Sequence, residues 1–457
     1  MALLLHGHYV VMKTKTLILL GAIATLCACN SSSSSTADTV SSDATVKSLT
    51  FVSNSDYPTL SSTVFTVEDR LDTGLIYNVD SIQYGVPIDS VVPSFRFNAT
   101  PGAVVVYTPN DTITLSGSDT VDFSVRPVFL HVIASDYVSE KWYEIQVNVH
   151  HVDPDLYAWN EVQQAVFPAA GTEQKMVFHD GALKWYVNNG YQNSLYVSTD
   201  EGRNWEEKTV NGLPSNCRVR NILVNIDNLF YCQDDNIYIS NDGFTWTAND
   251  HTADAFRFVN MLCAFNDSVW AIVQQRSDSA YHFAVSYDGT TWTQRSKLPN
   301  DFPISDFAVA NFYSETGRER VMVVGGYTAQ GEMLNTRWNI ECTPAGTYRW
   351  LNFSIEQPSF SSLAGISVIW YNNQFFLFGG TTTDNALSEY TILESTDEGM
   401  HWSVPDSAHN CLPATYQPRT KQSVVVDGNF NIYVAGGQSR TEVFSDVYVG
   451  RLNSIDW

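Results

Sequence analysis

One eight-residue phrase occurs twice in this chain of 457 residues, and it limits the possible folds more than any other feature. Ser198–Trp205 reads STDEGRNW, and Ser395–Trp402 reads STDEGMHW. Shortened forms stand between them, SNDGFTW at Ser240–Trp246 and SYDGTTW at Ser286–Trp292. Each copy comes after a short apolar-polar alternation that is typical of a β-strand. The pattern predicts an internal repeat whose unit ends near a tryptophan.

Tryptophans recur in phase with this phrase along the C-terminal two thirds of the chain. The intervals are roughly 40 to 60 residues, the length of one four-stranded propeller blade. We therefore expect a six-bladed β-propeller in residues 153–457, with segments 155–163 and 446–457 completing one blade together so that no sheet edge stays open. The tryptophans in phase are Trp159, Trp205, Trp246, Trp292, Trp350, Trp402 and Trp457.

The repeated phrase has the composition of a tight hairpin turn. Its aspartate can accept backbone N–H groups, its glycine permits a positive φ, and its tryptophan can cover the hairpin. The pattern resembles the Asp-box hairpin, S-x-D-x-G-x-x-W, of sialidases and related propellers. That resemblance implies a structural role, away from the ligand side, for Ser198, Asp200, Gly202, Trp205, Ser240, Asp242, Gly243, Trp246, Ser286, Asp288, Gly289, Trp292, Ser395, Asp397, Gly399 and Trp402.

A second signature lies in the last three predicted blades. Hydrophobic runs end in a pair of glycines at Val323–Gly326, Leu377–Gly380 and Val434–Gly437. These runs resemble kelch repeats, in which the glycine pair ends the second strand of a blade. Thr343–Trp350 stands where the fourth blade would carry an Asp box. The resemblance implies a hybrid propeller, with Asp boxes mainly in its first half and kelch-like blades in its second.

Residues 47–152 show a different pattern of short strands. Runs such as Thr63–Val67 and Val104–Tyr107 are bounded by Asp, Asn, Pro or Gly, and no helical period appears. The clearest pair, Phe129–Ala134 with Tyr143–Val149, alternates over both arms and predicts an antiparallel hairpin with one buried face. We expect a small β-sandwich, so the fold class is all-β. The hairpin resembles the closing strands of Ig-like or cadherin-like modules.

The N-terminus has the pattern of an export signal. Met12–Lys15 is basic and Leu17–Leu26 is apolar but too short to span a membrane. Leu26–Cys29 then resembles the bacterial lipobox, so residues 1–29 are interpreted as a lipoprotein signal peptide and Cys29 as the lipidated residue. An ordinary cleaved signal is the alternative. Residues 30–46 are a Ser-rich tether.

Together these segments resemble surface lipoproteins of the Bacteroides type. The resemblance implies a lipid anchor in a bacterial cell envelope, most simply the outer membrane, on its periplasmic or surface side. A net charge of −24 with only 25 Lys and Arg argues against a nucleic-acid partner, whose phosphates require a basic surface.

The cysteine spacing argues against a metal site. Five cysteines come after Cys29, none in a C-x-x-C pair, and an odd number leaves at least one unpaired. We expect these cysteines to be small buried hydrophobic residues, with disulfides as the alternative, and we expect no metal and no cofactor. A copper oxidase of the galactose-oxidase type is disfavoured because no two propeller histidines have ligand spacing. The five cysteines are Cys217, Cys232, Cys263, Cys342 and Cys411.

The Asp-box resemblance raises one enzyme hypothesis, a sialidase-type glycoside hydrolase. That family needs three arginines around a sugar carboxylate, and no F-R-I-P motif marks the first of them in the predicted propeller. Four arginines nevertheless precede or open predicted innermost strands and could converge on the ligand side: Arg218, Arg220, Arg257 and Arg419.

The leading hypothesis is a non-catalytic binding module for glycan or protein ligands. Long loops between second and third strands offer Tyr191 and Tyr281 as aromatic contacts beside the four arginines. A sialidase-type hydrolase is the first alternative. A structural scaffold subunit of an outer-membrane complex is the second. Binding without turnover is favoured because the sequence assigns no catalytic set.

Overall fold

The computed structural model describes residues 40–343, 346–354 and 360–456, with residues 455 and 456 described by their backbone only. Cys29, Trp457 and most of the predicted tether lie outside the described residues. The chain divides into two compact units, the first ending at Val149 and the second beginning at His150. Both units are built from β-strands, as predicted. In the described ranges, no helix is long and apolar enough to span a bilayer.

The N-terminal unit contains two sheets. Its strands are β1 (Val46–Phe51), β2 (Phe65–Glu68), β3 (Thr73–Asn78), β4 (Pro93–Phe97), β5 (Ala103–Tyr107), β6 (Thr112–Thr114), β7 (Val128–Ile133) and β8 (Glu140–Gln146), with a 3-10 helix at Pro58–Ser62. Strands β1 and β4 form the small sheet, and the large sheet has the order β2-β3-β8-β7-β5-β6. The predicted hairpin is confirmed as the antiparallel pair β7–β8. The parallel pairing of β3 with β8 was not predicted.

One hydrophobic core lies between these two sheets. Val106, Leu130 and Tyr143 are fully buried on the inward faces of β5, β7 and β8. The backbone N–H of Val46 donates to the Tyr143 hydroxyl at 3.0 Å, which ties the small sheet to the large one. Burying apolar side chains from both sheets is the main stabilising contribution, and the arrangement is a β-sandwich.

The C-terminal unit is a sequence of antiparallel sheets. Its strands are β9 (Tyr157–Gln163), β10 (Glu173–His179), β11 (Ala182–Asn188), β12 (Asn193–Ser198), β13 (Glu206–Thr209), β14 (Leu223–Val224), β15 (Leu229–Gln233), β16 (Asn236–Ser240), β17 (Thr247–Asp250), β18 (Phe256–Phe265), β19 (Ser268–Gln275), β20 (Tyr281–Ser286), β21 (Thr293–Lys297), β22 (Ala308–Tyr313), β23 (Glu319–Val324), β24 (Arg337–Cys342), β25 (Tyr348–Asn352), β26 (Ser367–Tyr371), β27 (Gln374–Phe378), β28 (Ile392–Ser395), β29 (Ser423–Val426), β30 (Ile432–Ala435) and β31 (Val447–Leu452). Short 3-10 helices lie at Val219–Asn221 and Asn453–Asp456.

In the described chain these strands form six blades, in agreement with the sequence prediction. The blades are β10–β13, β14–β17, β18–β21, β22–β25, β26–β28 and the composite sheet β29-β30-β31-β9. In the fifth blade, a single bridge between Glu394 and Ser403 stands in place of a fourth strand. Hydrophobic clusters fill the space between successive blades, as in a sheet-on-sheet core.

The ring is closed by the pairing of β31 with β9, which was predicted from the phase of the two segments. Trp159 of β9 lies opposite Gly450 of β31, where an added Cβ would overlap the indole ring. The indole N–H of Trp159 donates to Oδ1 of Asn410 at 2.9 Å. Closure removes the open edges that would otherwise invite pairing with another chain.

The glycine pairs come directly after the second strands β23, β27 and β30. Both glycines of each pair have positive φ. An added Cβ at Gly325 would lie 2.5 Å from the carbonyl oxygen of Leu363, in the segment that leads into the next blade. Glycine is required there because the backbones of neighbouring blades approach closely.

Candidate functional site

A cavity of about 700 Å³ runs through the centre of the propeller. All six innermost strands contribute to its wall, and the volume lies within the range of ligand pockets in proteins. We call it the channel. The face at which the innermost strands begin is the start face, and the face at which they end is the end face. Polar or aromatic residues of the wall include Lys175, Arg220, Asn260, Asp306, Phe307, Trp370 and Gln422.

Arg220 crosses the channel at the start face. It belongs to the second blade, yet its Nη1 donates to the carbonyl oxygen of Lys421 in the sixth blade at 2.8 Å. Its Nε lies 3.8 Å from Oδ1 of Asp306 in the fourth blade. Its backbone N–H donates to Oε1 of Glu173 in the first blade at 3.2 Å. One arginine therefore connects the beginnings of four innermost strands.

Lys175 lies on β10 and faces the channel near the same end. Burial lowers the pKa of its ammonium group from 10.5 to about 8, and the positive charge of Arg220 acts in the same direction. Within the described residues its ammonium group has no hydrogen bond or ion pair. The start face therefore carries a desolvated cation that a ligand can reach from the channel.

Three of the four arginines selected from the sequence lie outside the channel wall, so the structure does not bring the four together. Arg419 is fully buried and makes a bidentate ion pair with Asp446, with Nη1–Oδ1 at 2.5 Å and Nη2–Oδ2 at 3.0 Å. Arg257 is exposed and donates through Nε to Gln274 at 2.9 Å. Arg218 is exposed as well. None of these three lines the channel. Arg257 is the second residue of β18 and is held by Gln274 of the neighbouring strand β19, whereas Arg218 and Arg419 precede β14 and β29.

Tyr191 and Tyr281 also lie apart. Tyr191 is 87% exposed on the loop between β11 and β12. Tyr281 begins β20 and lines a separate cavity of about 210 Å³ with Lys297 and Gln330. Since the two rings lie in the first and third blades and line no common cavity, the sequence-based idea that both hold one glycan has no geometric support.

The four repeated phrases form near-identical turns, which we call the Ser–Asp turns. In the first, Ser198 Oγ donates to Asp200 Oδ1 at 2.9 Å and accepts the N–H of Gly202 at 3.0 Å. Asp200 then accepts the N–H of Asn204 at 2.9 Å. The Trp205 indole N–H donates to the Gly202 carbonyl at 2.8 Å. The serine-to-aspartate and glycine-to-serine hydrogen bonds recur in the other three turns.

These hydrogen bonds explain the acidity of the turn aspartates. The side chain and backbone N–H of Asn204, with the Ser198 hydroxyl, lower the pKa of Asp200 to about 2. The backbone N–H groups of Thr291 and Thr290 lower the pKa of Asp288 in the same way, against the opposing effect of burial. Burial acts to raise the pKa of Asp397, and hydrogen bonds from His401 outweigh this effect, so the pKa is lowered.

Each Ser–Asp turn comes directly after the third strand of its blade, at the end face, and packs on the preceding blade. Lys184 Nζ and Tyr186 Oη of the first blade donate to the carbonyls of Asp242 and Gly243 in the second, at 2.8 and 2.9 Å. Arg337 of the fourth blade donates to the Gly399 carbonyl of the fifth at 2.8 Å. The turns therefore couple blades, at the opposite face from Lys175.

The cysteines and potential ligands of metals do not converge. All five described cysteines are free; Cys217, Cys232 and Cys263 are buried, whereas Cys342 is half-buried and Cys411 is exposed. Burial raises the pKa of the Cys232 thiol to about 12. In the part of the chain that the structure describes, no three His, Cys, Asp or Glu side chains form a group suited to a metal ion.

Sequence reasoning missed Lys175, Glu173 and Asp306. A signal for Lys175 was present, since it lies in the innermost strand EQKMVFH directly before the apolar run Met176–Phe178, where a lysine is seldom buried. Asp306 gave no such signal, because it precedes its strand and resembles a turn residue. Of the predicted ligand-binding residues, Arg220 alone faces the channel.

Comparison with known proteins identifies the family. A family described as "DUF6242 beta propeller domain" matches residues 153–457, and "Domain of unknown function (DUF6242) N-terminal domain" matches residues 31–147. The chain therefore belongs to the DUF6242 family. No curated protein matches the sequence. A solved structure described as "Structure of YjhT" is 10% identical, covers 62% of this chain and 95% of its own, and has a TM-score of 0.45, too low to support an argument.

Proposed function

We propose that this chain is a lipid-anchored envelope protein whose propeller binds a glycan or peptide in its channel without turning it over. The observation that carries the proposal is the channel itself. Its volume of about 700 Å³ suits one or a few sugar or amino-acid units, and its start face presents charged groups from several blades. A rigid ring of blades presents such groups without reorganisation, which favours binding.

A sialidase-type hydrolase is less well supported. That chemistry requires three guanidinium groups around one carboxylate, and Arg419 is instead committed to Asp446 inside the sixth blade. Arg218 and Arg257 lie outside the channel wall. The channel keeps one arginine beside one lysine, an arrangement that can hold an anion but does not reproduce the sialidase set.

We further propose the finer features implied by the sequence resemblances. The Ser–Asp turns are Asp boxes, the glycine pairs mark kelch-like blades, and the N-terminal sandwich is Ig-like. The serine–aspartate–glycine hydrogen bonds and the positive φ of both glycines in each pair support the first two assignments. The lipid anchor at Cys29 places the protein in the outer membrane.

Binding in the channel is tested with the purified ectodomain on glycan and peptide arrays, and then by calorimetry on each hit. Val424 lines the channel, so Val424→Trp should fill it and remove binding. The matched control is Val404→Trp at a position that is 59% exposed, and it should bind like wild type. Equal binding by both variants would overturn the proposal.

Catalysis is tested separately. Release of 4-methylumbelliferone from its sialoside at an enzymatic rate, lost in Val424→Trp, would make the protein a hydrolase. If no array ligand binds and a pull-down from envelope extracts recovers one protein in stoichiometric amount, with Val424→Trp unaffected, the protein is a scaffold and the channel proposal fails.

The lipid anchor is tested by labelling cells with an alkyne fatty acid. Wild type and Cys27→Ala should be labelled, and Cys29→Ala should not be, because the last cysteine of the lipobox-like segment is the predicted acceptor. Equal labelling of all three would contradict the assignment of Cys29.

A further inference from the structure

We infer that the start-face end of the channel is a site for the carboxylate of an acidic sugar, which Lys175 and Arg220 hold together after it replaces Asp306 beside Arg220. This inference rests on the proposed function and names the ligand class of the same channel. It differs from the sequence-based expectation, because the second cation is a lysine that the sequence analysis did not select.

The first observation is the Lys175 ammonium group. It faces the channel from the middle of the first innermost strand, and nothing in the described ranges pairs with it. Its side chain is half-buried, and an unpaired cation that has lost part of its hydration is less favourable than one in water. An anion entering the channel would supply the missing partner.

The second observation is the incomplete use of Arg220. A guanidinium has five N–H donors, and the side chain of Arg220 uses one of them, on Nη1, for the Lys421 carbonyl. Its contact with Asp306 is 3.8 Å from Nε to Oδ1, beyond hydrogen-bond distance. The guanidinium N–H groups on the side of Arg220 that faces Asp306 are therefore free to donate two charge-assisted hydrogen bonds to a ligand carboxylate.

The charges around this pair favour a singly charged ligand. Lys175 and Arg220 are cations, Asp306 is a carboxylate of the channel wall, and Glu173 is a carboxylate that accepts the backbone N–H of Arg220. A dianion such as a phosphate monoester would be repelled by the two carboxylates. A carboxylate carries a single charge and has the planar geometry that an arginine matches.

The neighbouring groups favour a sugar over a peptide. Asp306 can accept hydrogen bonds from hydroxyl groups, which a sugar carries beside its carboxylate, and Phe307 belongs to the channel wall next to Asp306. A peptide would bring fewer donors beside its carboxylate than the several hydroxyl groups of a sugar, so it would satisfy Asp306 less fully.

The low pKa of Lys175 gives the site a measurable signature. Burial lowers it to about 8, and the positive charge of Arg220, the charged group that acts on it, works in the same direction. A bound carboxylate stabilises the ammonium form and raises this pKa, so binding at pH 8 takes up protons. Affinity should fall as the pH rises above 8, because neutral Lys175 no longer attracts the anion.

The experiment is calorimetry on the ectodomain with galacturonate and its neutral methyl ester, in buffers of different ionisation enthalpy at pH 8. We expect galacturonate to bind at least about ten- to a hundred-fold more tightly than the ester, because the loss of even one charge-assisted hydrogen bond has an effect of that size. The measured binding enthalpy should depend on the ionisation enthalpy of the buffer for galacturonate but not for its methyl ester. Lys175→Met should remove both effects, Lys175→Arg should restore the preference without proton uptake at pH 8, and the exposed Lys47→Met should behave like wild type.

The outcomes separate this inference from the proposed function. An array ligand that Val424→Trp loses but that shows no dependence on Lys175 would refute the carboxylate site and leave channel binding intact. An array ligand that Val424→Trp retains would refute channel binding itself. Preference for a carboxylated peptide over galacturonate, lost in Lys175→Met, would overturn the assignment to a sugar. Thermal melts of Lys175→Met at pH 7 verify folding.

Discussion

At the scale of the residue, two arginines of the propeller show how surroundings decide a role. Arg419 is enclosed between Tyr416 and Phe444, whose ring centroids lie 4.3 and 4.0 Å from its Cζ, and its charge is balanced by Asp446. Arg220 lies at the channel with its carboxylate neighbour at 3.8 Å. The first is part of the core, and the second remains available to a ligand.

The ion pair in the sixth blade gives a stability prediction. Asp446→Asn leaves Arg419 as a buried cation without a counter-charge, which should lower the free energy of unfolding by about 3–5 kcal/mol. Chemical denaturation measures this change. Arg419→Met combined with Asp446→Leu removes both charges and should recover much of the loss. A single variant as stable as wild type would show that the pair contributes little.

The lowered pKa of Lys175 predicts that the free energy of unfolding rises at alkaline pH. Its pKa is about 8 in the folded protein and 10.5 as a free side chain, so between these values the unfolded chain binds the extra proton. The free energy of unfolding should therefore rise between pH 8 and pH 10.5, by about 1–3 kcal/mol relative to Lys175→Met, which lacks this proton. Denaturation curves of both proteins across this range measure the difference. A difference that stays constant with pH would mean that Lys175 is not desolvated.

At the scale of the element, each Ser–Asp turn packs against the preceding blade and so holds the two blades together. Its glycine has a positive φ and little free space: an added Cβ at Gly289 would lie 2.5 Å from Cε1 of Phe230 in the second blade. Its serine and aspartate satisfy the N–H groups of the turn. Local turn chemistry and packing between blades therefore require the same phrase, which explains why it recurs.

Substitutions at two glycines distinguish the stability lost through backbone strain from the stability lost through packing between blades. Gly289→Ala places a Cβ against Phe230 at a φ of +74°, whereas Gly317 has a φ of +71° with nothing within 4 Å of the added Cβ. Gly317→Ala should lower stability by about 1–2 kcal/mol through its φ alone. Gly289→Ala should lower it by about 1–3 kcal/mol more through overpacking. Chemical denaturation compares them, and equal losses would deny the packing role of the turn.

At the scale of the whole propeller, the sequence predicted the blades better than the site. The spacing of the tryptophans and the pairing of the two terminal segments were predictable because every blade has the same requirements. Each blade needs a side chain that covers its hairpin, and its edge strand must be paired. The four arginines had in common only their position before or at the start of innermost strands. Whether such a side chain faces the channel depends on neighbours far along the chain, as with Asp446 for Arg419 and Asp306 for Arg220. One sequence does not encode those contacts in any local pattern.

The most direct test of the central claim is a crystal structure of the ectodomain with the tightest-binding ligand from the arrays. We predict that the ligand lies in the channel at the start face, with a carboxylate within hydrogen-bond distance of Lys175 Nζ and the Arg220 guanidinium, and with Asp306 displaced from Arg220. A ligand on the outer loops around Tyr191, or at the Ser–Asp turns of the end face, with the channel free of it, would contradict the account.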